Sequence, residues 1–131
     1  MKDSAFILVV APMNTGEPLL RYLKYKCLPF IVITNNKQEE QRLRRLGVEH
    51  ILMVDTVEHE TWAVPETPIG KVFMFEKSLP LCCRYLQIVR KWTAQPIYVI
   101  SERASVRHIY KGLGADHVIY SRNGQVSFLV D

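Results

Sequence analysis

The sequence lacks the marks of membrane insertion, of secretion and of a metal site. No apolar run approaches the roughly 20 residues that span a bilayer, and Met1–Asp3 leads directly into an apolar segment rather than into a signal peptide. Cysteine is scarce, with only Cys27, Cys82 and Cys83. An odd number of cysteines argues against a disulfide framework, and the absence of a C-x-x-C spacing argues against a zinc site. We therefore predict a cytoplasmic protein that is not inserted in a membrane, with free thiols and no bound metal.

Positive charge is only slightly in excess: the sequence has 17 Lys and Arg residues and 13 Asp and Glu residues, which gives a formal net charge of +4. The densest basic stretch, Arg42, Arg44 and Arg45, follows Glu39 and Glu40, and no aromatic residue is interleaved with it to stack on a base. We therefore expect no nucleic-acid partner.

The sequence does contain a series of short apolar runs. They are rich in β-branched residues and alternate with helical periodicity, which is typical of strands buried on both faces of a parallel sheet. The predicted strands are Phe6–Ala11, Phe30–Thr34, His50–Val54, Val72–Phe75, Ile97–Ile100 and His117–Tyr120. An Asn-Gly hairpin signal at residues 123–124 also allows an antiparallel edge strand over Val126–Val130.

Local signals mark the ends of the predicted helices. Thr15, Asn36 and Ser78 are placed to accept a hydrogen bond from the first turn of the helix that follows each of them. Asn36 also has a glutamate three residues further on, as in a capping box. Gly47 and Gly114 stand where a helix ends with a residue in the left-handed conformation.

The chain repeats itself, because Pro29–Leu52 aligns without a gap over Pro96–Ile119. The identical positions are Pro29/Pro96, Val32/Val99, Ile33/Ile100, Leu46/Leu113, Gly47/Gly114 and His50/His117. Two βαβαβ halves, at about residues 5–56 and 71–120, joined by right-handed crossovers make a doubly wound sheet. We predict a single Rossmann-like α/β domain over residues 1–131, with three layers and a six-stranded, mainly parallel sheet of order 3-2-1-4-5-6.

The turn after the first strand is a candidate ligand site, since a helix N-terminus at this place in an open α/β sheet holds phosphate. The carboxyl end of the fourth strand faces the same crevice in this topology. The candidate residues are Pro12, Asn14, Thr15 and Gly16 in the turn, and Glu76, Lys77 and Ser78 after the fourth strand.

Two stretches resemble a known family. FIVITNNKQEEQRLRRLGVEHILMVDT (Phe30–Thr56) and HIYKGLGADHVIY (His108–Tyr120) are similar to the N-terminal nucleotide-binding domain of RCK (TrkA-N) proteins, cytoplasmic regulators of potassium channels and transporters. Asp55 and Thr56 stand at that family's Gly-Asp-Ala-Thr position, so the resemblance implies that they line its ligand site. It also implies a regulatory, non-catalytic function and a membrane transporter as a partner.

The chain departs from this family at the residues that hold NAD. The family's first turn is Gly-x-Gly-x-x-Gly, but Ala11 and Met13 replace the first two glycines and only Gly16 remains. The acidic residue that grips the ribose at the end of the second strand is also missing, and Asn35 and Lys37 occupy that region. We therefore predict that standard NAD binding is lost and that a nucleotide or a single phosphate is the ligand class to test.

The resemblance also implies self-association. RCK-like domains associate through late helices, and the predicted helix Leu81–Trp92 is apolar on more than one face, with Cys82, Cys83 and Leu86 outside its core stripe. We therefore predict a homodimer.

Three functions follow from these observations. The first is a regulatory, RCK-like module that binds a nucleotide or small anion weakly or atypically. The second is a degenerate Rossmann fold without a ligand that acts as a protein-interaction module. The third, an enzyme using the crevice at Asp55 and Glu76, has no catalytic constellation to support it, so we predict that the protein is not an enzyme.

Overall fold

The computed structural model describes residues 5–10, 15–54, 67–103, 106–123 and 125–130. The strands are β1 (Phe6–Val10), β2 (Phe30–Thr34), β3 (Ile51–Met53), β4 (Ile69–Phe75), β5 (Ile97–Ser101) and β6 (His117–Tyr120). The helices are α1 (Glu17–Tyr25), α2 (Lys37–Arg45), α3 (Leu79–Val89) and α4 (Arg107–Gly112), and a short 3-10 helix follows at Ser127–Leu129.

The six strands form one parallel sheet of order β3-β2-β1-β4-β5-β6. Strand β1 lies in the middle, paired with β2 on one side and β4 on the other, and its last three residues are fully buried. The fold class predicted from the repeat is thus confirmed, and so is the place of β1 at the centre of the sheet.

Helices cover both faces of the sheet. Alternate residues of β1 show the division, since Leu8 packs in a core with α3 and α4 whereas Val9 packs in a core with α1 and α2. The 3-10 helix contacts α1 and lies on the same face as α1 and α2. Because the inner strands β2, β1, β4 and β5 are covered on both faces, apolar residues run through them without alternation, as the sequence shows.

The helix ends follow the local signals with one exception. The Oδ1 atom of Asn36 accepts from the Glu39 N–H at 2.7 Å, and the Oγ of Ser78 accepts from the Leu81 N–H at 3.3 Å. Gly47 and Gly114 adopt φ angles of +87° and +115°, the left-handed region in which a side chain would be strained. Thr15 is not the N-cap of α1; that position belongs to Gly16.

The predicted edge strand after β6 is wrong, because Ser127–Leu129 is a 3-10 helix. Val126 is 1% exposed and packs into the core beneath α1 and α2. The Nζ of Lys71 donates to the carbonyl oxygens of Leu129 and Val130, each at 3.0 Å. Burial of Val126 and this lysine clamp hold the segment against the face of the sheet rather than along its edge.

The argument that suggested a dimer through α3 does not hold. Cys82 and Leu86, which the sequence places outside the core stripe, are 2% and 0% exposed and belong to the core between α3 and the sheet. Helix α3 is therefore buried on a wider face than its stripe predicts, and the homodimer stays a prediction. Within the described residues, no helix is long and apolar enough to cross a membrane.

Candidate functional site

A cleft of about 490 Å³ opens at the carboxyl edge of the sheet. Its lining comes from one side of α2, from its N-cap to its last residue, and from the turn after β4. Helix α2 follows β2, and β2 and β4 are the two neighbours of β1 in the sheet order. The lining residues are Asn36, Gln38, Glu39, Arg42, Arg45 and Lys77. Because the strands are parallel and β1 lies between β2 and β4, this is the crevice at the topological switch point, where open α/β sheets bind ligands.

Positive charge dominates the rim of the cleft. Lys77 and Arg45 are exposed, and neither has an ion-pair partner within the parts of the chain that the structure describes. Arg42 is paired with Glu17 at the start of α1. The first turn of α2, capped by Asn36, adds the partial positive charge of a helix N-terminus. These groups suit an anion.

A carboxylate lies beneath that positive rim. Glu39 is 3% exposed, and the hydroxyl of Thr34, itself fully buried at the end of β2, donates to its Oε1. The Oε2 atom of Glu39 is buried and accepts no hydrogen bond from any residue that the structure describes. An unpaired acceptor away from water is costly, so this oxygen marks a place where a donor is missing.

A second buried carboxylate, Glu76, sits at the end of β4 and is fully engaged. The Oγ of Ser101 donates to its Oε1 at 2.7 Å, Arg103 Nη2 donates to Oε2 at 2.7 Å, and the hydroxyl of Tyr110 also donates to Oε2. Burial raises the pKa of Glu76, but the hydrogen bonds from Arg103, Tyr110 and Ser101 outweigh it and lower the pKa below its ordinary value of 4.5. Glu76 is thus a charged tie between β4, β5 and α4.

The thiol and phenol groups beside Glu76 stay protonated at neutral pH. Burial raises the pKa of Cys82 to about 12, and the carboxylate of Glu76 adds to that shift. Burial, together with its hydrogen bond to Glu76, raises the pKa of Tyr110. The pKa of Cys83 is raised by the same two influences, burial and the charge of Glu76. A protonated thiol is a poor nucleophile, so these groups serve packing and hydrogen bonding.

The structure brings only some of the predicted site residues together. Lys77 lines the cleft, Glu76 is committed to its own network, and Ser78 caps α3. Asn35 accepts from the side-chain amide of Asn36 at 3.3 Å, next to the cleft. Two further predicted residues, Thr15 and Gly16, lie at the start of α1, whereas Lys37 is exposed at the start of α2 and outside the cleft lining. Pro12, Asn14, Asp55 and Thr56 lie outside the described residues.

Sequence reasoning missed the residues that α2 contributes. Glu39, Arg42 and Arg45 are spaced three apart, so they lie on one face of the helix, and that face lines the cleft. The sequence presents them as a solvated polar face of mixed charge. The spacing was the available signal, but only the position of α2 beside the turn after β4 turns this face into a site.

Another cleft, also of about 490 Å³, lies at the opposite, amino edge of the sheet and is lined by Phe6, Lys24, Cys27, Leu28, Pro29, Phe30, Gly47, Glu49 and His50. It lies away from the strand ends where ligands bind in this topology. His50 packs edge-on against Phe6, with the ring centroids 5.6 Å apart. Among the described residues, no group of three or more His, Cys, Asp or Glu is arranged to hold a metal ion.

The fold is a Rossmann-like α/β fold, similar to that of TrkA-N domains. Over 99% of this chain and 97% of the other, the structure is similar to the TrkA-N domain of the inner membrane protein YbaL from Escherichia coli, with a TM-score of 0.73 and 14% identity. The NAD(P)-binding domain of an exopolyphosphatase-related protein from Archaeoglobus fulgidus gives a TM-score of 0.71 at 14% identity, over 96% and 91% of the two chains.

The RCK domain of GsuK is a further structural neighbour, with a TM-score of 0.72 and 17% identity over 90% of this chain. This chain spans about a quarter of that protein, 26% of its length. No protein-family model and no curated protein matches the sequence. The resemblance predicted from the two stretches is therefore confirmed for the fold. Sequence identities of 14–17% support a common fold but do not define a function.

Proposed function

We propose that this domain is a regulatory, non-catalytic module that binds a phosphorylated ligand, such as a nucleotide, at the carboxyl edge of its sheet. The observation that supports this most strongly is the cleft beside β1, where Lys77 and Arg45 present cations without protein partners among the described residues. A cation that lines the same cleft as a helix N-terminus, as Lys77 does with the capped start of α2, is a usual means by which a fold holds phosphate. Arg45, in the last turn of the same helix, adds a second cation to the lining.

The ligand that we propose is shorter than an extended dinucleotide. Strand β2 ends in Thr34 and is followed by Asn35, so it offers no carboxylate at the position that grips the ribose in standard NAD sites. The cations lie on α2 and after β4, on either side of the crevice above β1. This placement suits one phosphate or diphosphate group better than the two-sided grip of NAD.

The regulatory part of the proposal comes from the structural neighbours. The solved structures include a GsuK channel bound to NAD and GsuK bound to ADP, with TM-scores of 0.69 and 0.73 to this chain. We propose by analogy that this domain responds to a nucleotide from the cytoplasmic side as a homodimer and passes that response to a membrane transport protein. A nucleotide that is bound but not turned over fits this function.

Titration calorimetry with ADP, NAD and pyrophosphate tests the proposal. We expect ADP and pyrophosphate to bind, NAD to bind more weakly than ADP, and Lys77→Ala and Arg45→Ala each to weaken binding by about fivefold, since an exposed cation contributes up to about 1 kcal/mol. Arg44→Ala is the matched control, because Arg44 neighbours Arg45 but is paired with Glu40 and lies outside the cleft lining.

Three results would argue against this function. Binding that survives in Lys77→Ala and Arg45→Ala but fails in Arg44→Ala would place the ligand elsewhere. Absence of binding by all three compounds would favour the alternative, a ligand-free module for protein interaction. Conversion of ADP to another product during incubation, followed by chromatography, would contradict the non-catalytic assignment.

A further inference from the structure

The buried carboxylate under the cleft is the feature that the proposed function does not yet use. Glu39 and Thr34 are 3% and 0% exposed, and the Thr34 hydroxyl donates to Oε1 of the glutamate. Oε2 is left without a hydrogen bond from any described residue. Glu76, in contrast, receives hydrogen bonds on both of its oxygens. The protein is therefore able to satisfy a buried carboxylate, and it leaves Glu39 half satisfied.

The partner that Oε2 lacks is a hydrogen-bond donor, because a carboxylate oxygen accepts hydrogen bonds. Asn36 offers no donor to Oε2, since its N–H points to the Thr34 hydroxyl at 3.5 Å and its side-chain NH₂ donates to Asn35. Arg42, one turn further along α2, is paired with Glu17. These two neighbours on the same helix are thus engaged elsewhere, and the cleft, which Glu39 lines, is a side from which another molecule can supply a donor.

We propose that Glu39 accepts a hydrogen bond from a sugar hydroxyl of the phosphorylated ligand, so that the site selects phosphorylated sugars, nucleotides among them, over inorganic phosphates. This inference rests on the proposed function. The cations of Lys77 and Arg45 hold the phosphate at the rim, and the carboxylate reads a hydroxyl below them. A pyrophosphate, which is an acceptor at most of its oxygens at neutral pH, leaves Oε2 unsatisfied.

This arrangement places the hydroxyl acceptor on a helix rather than on a strand end. Glu39 lies in the first turn of α2, five residues after Thr34, and is oriented by the Thr34 hydroxyl. Its Oε2 atom has less than 1 Å² of exposed surface, so contact with a ligand hydroxyl requires the Glu39 side chain to move toward the cleft. The carboxylate torsion is soft and roughly two-fold, which allows such a rearrangement at low cost.

The test compares three compounds by titration calorimetry on the intact protein: ADP, 2′,3′-dideoxy-ADP and pyrophosphate. Because a hydrogen bond to a charged group is a strong one, we expect the wild-type protein to bind ADP about tenfold or more tightly than dideoxy-ADP. Glu39→Gln should reduce that preference to within about twofold. Glu40→Gln, the same change one residue along on the ion-paired side of α2, should keep the preference.

Three outcomes overturn the inference. Equal binding of ADP and dideoxy-ADP by the wild-type protein contradicts it but leaves the proposed function intact, and this comparison needs no variant to fold. A preference that persists in a folded Glu39→Gln protein assigns the hydroxyl to another residue. No binding of any of the three compounds removes the proposed function and this inference together.

Discussion

The two halves of the domain treat the same hydroxyl position differently. Thr34 at the end of β2 and Ser101 at the end of β5 are equivalent in the internal repeat, both are buried, and both donate to a glutamate. The N-terminal half supplies that glutamate from its helix, as Glu39, whereas the C-terminal half supplies Glu76 from the end of β4. The two glutamates therefore occupy different positions in the repeat, although each accepts from the equivalent hydroxyl.

The number of donors around each carboxylate separates the two halves further. Glu76 is tied by Ser101, Arg103 and Tyr110, so it links β4, β5 and α4. Among the described residues, only the Thr34 hydroxyl donates to the side chain of Glu39, which lines a cleft together with cations. The comparison shows that the C-terminal half engages both oxygens of its carboxylate in contacts between elements, whereas the N-terminal half leaves one oxygen without a hydrogen bond from the described residues, and on this oxygen our proposal of a ligand contact rests.

Removal of the charge in the C-terminal half should have the largest effect. Glu76→Gln turns one acceptor into a donor that faces Ser101, Arg103 and Tyr110, so we expect a loss of about 3 kcal/mol in the free energy of unfolding. Because Arg103 is half exposed, the expected loss lies at the lower end of the range for breaking a buried ion pair. Urea denaturation measures it, with the exposed Glu102→Gln as the control. A loss below about 1 kcal/mol would show that the network is not cohesive.

Removal of the equivalent hydroxyls of Thr34 and Ser101 should cost more stability in the N-terminal half than in the C-terminal half. Thr34→Val deprives Glu39 of its only side-chain donor among the described residues, and we expect a loss of about 2 kcal/mol. Ser101→Ala leaves Glu76 with Arg103 and Tyr110 and should cost about 1 kcal/mol. Equal losses, measured under identical urea conditions, would mean that the two carboxylates are supported alike.

The basic side chains over the two helix-ending glycines offer a milder contrast. Arg90 donates to the carbonyls of Gly114, Thr93 and Gln95 and to Asp116, all at 2.8–2.9 Å. Lys24 is exposed, and within the described ranges its Nζ donates to Leu46 O alone, at 3.0 Å. We expect Arg90→Ala to cost about 1.5 kcal/mol and Lys24→Ala less than about 0.5 kcal/mol. Thermal unfolding of the two variants side by side checks this, and a larger effect at Lys24 would be the contrary result.

Acid should weaken the C-terminal tie gradually. The pKa of Glu76 is lower in the folded protein than its ordinary value of 4.5, so its contribution is complete above that value and is lost as the pH falls through the folded pKa. One group changes the free energy of unfolding by at most about 1.4 kcal/mol per pH unit. Urea midpoints between pH 6 and pH 3 should fall less steeply for Glu76→Gln than for the wild type, and parallel curves would exclude Glu76 as a cause.

The fold was readable from the sequence because its signals are local. Uninterrupted apolar strands, the Asn36 and Ser78 caps and the glycines at 47 and 114 each depend on neighbours a few residues away, and each appears in the structure as predicted. The C-terminal segment was misread because its hairpin signal is also local, whereas the forces that place it are not. Burial of Val126 and the clamp from Lys71, more than fifty residues earlier, decide its course.

The candidate site was readable only in part for the same reason. The topology alone was enough to place Glu76 and Lys77 at the ligand edge, since they follow a central parallel strand. The partners of Glu76 come from β5, the loop after it and α4, and no local pattern connects them. Glu39 looked like a capping-box residue on a solvated helix, but its side chain turns inward to Thr34 and is buried.

A column of rings crosses the C-terminal half of the sheet and gives it an optical signature. Phe73 on β4 stacks on Tyr98 of β5 at 5.1 Å, and Tyr98 stacks on His117 of β6 at 4.9 Å, with the planes within 20° of parallel. Aromatic groups held in fixed packing produce a near-ultraviolet circular dichroism signal that vanishes when the packing loosens. Detachment of β6 alone would therefore weaken the near-ultraviolet circular dichroism signal, while the far-ultraviolet signal of the helices persists. Fraying of this sheet edge is thus observable without a label.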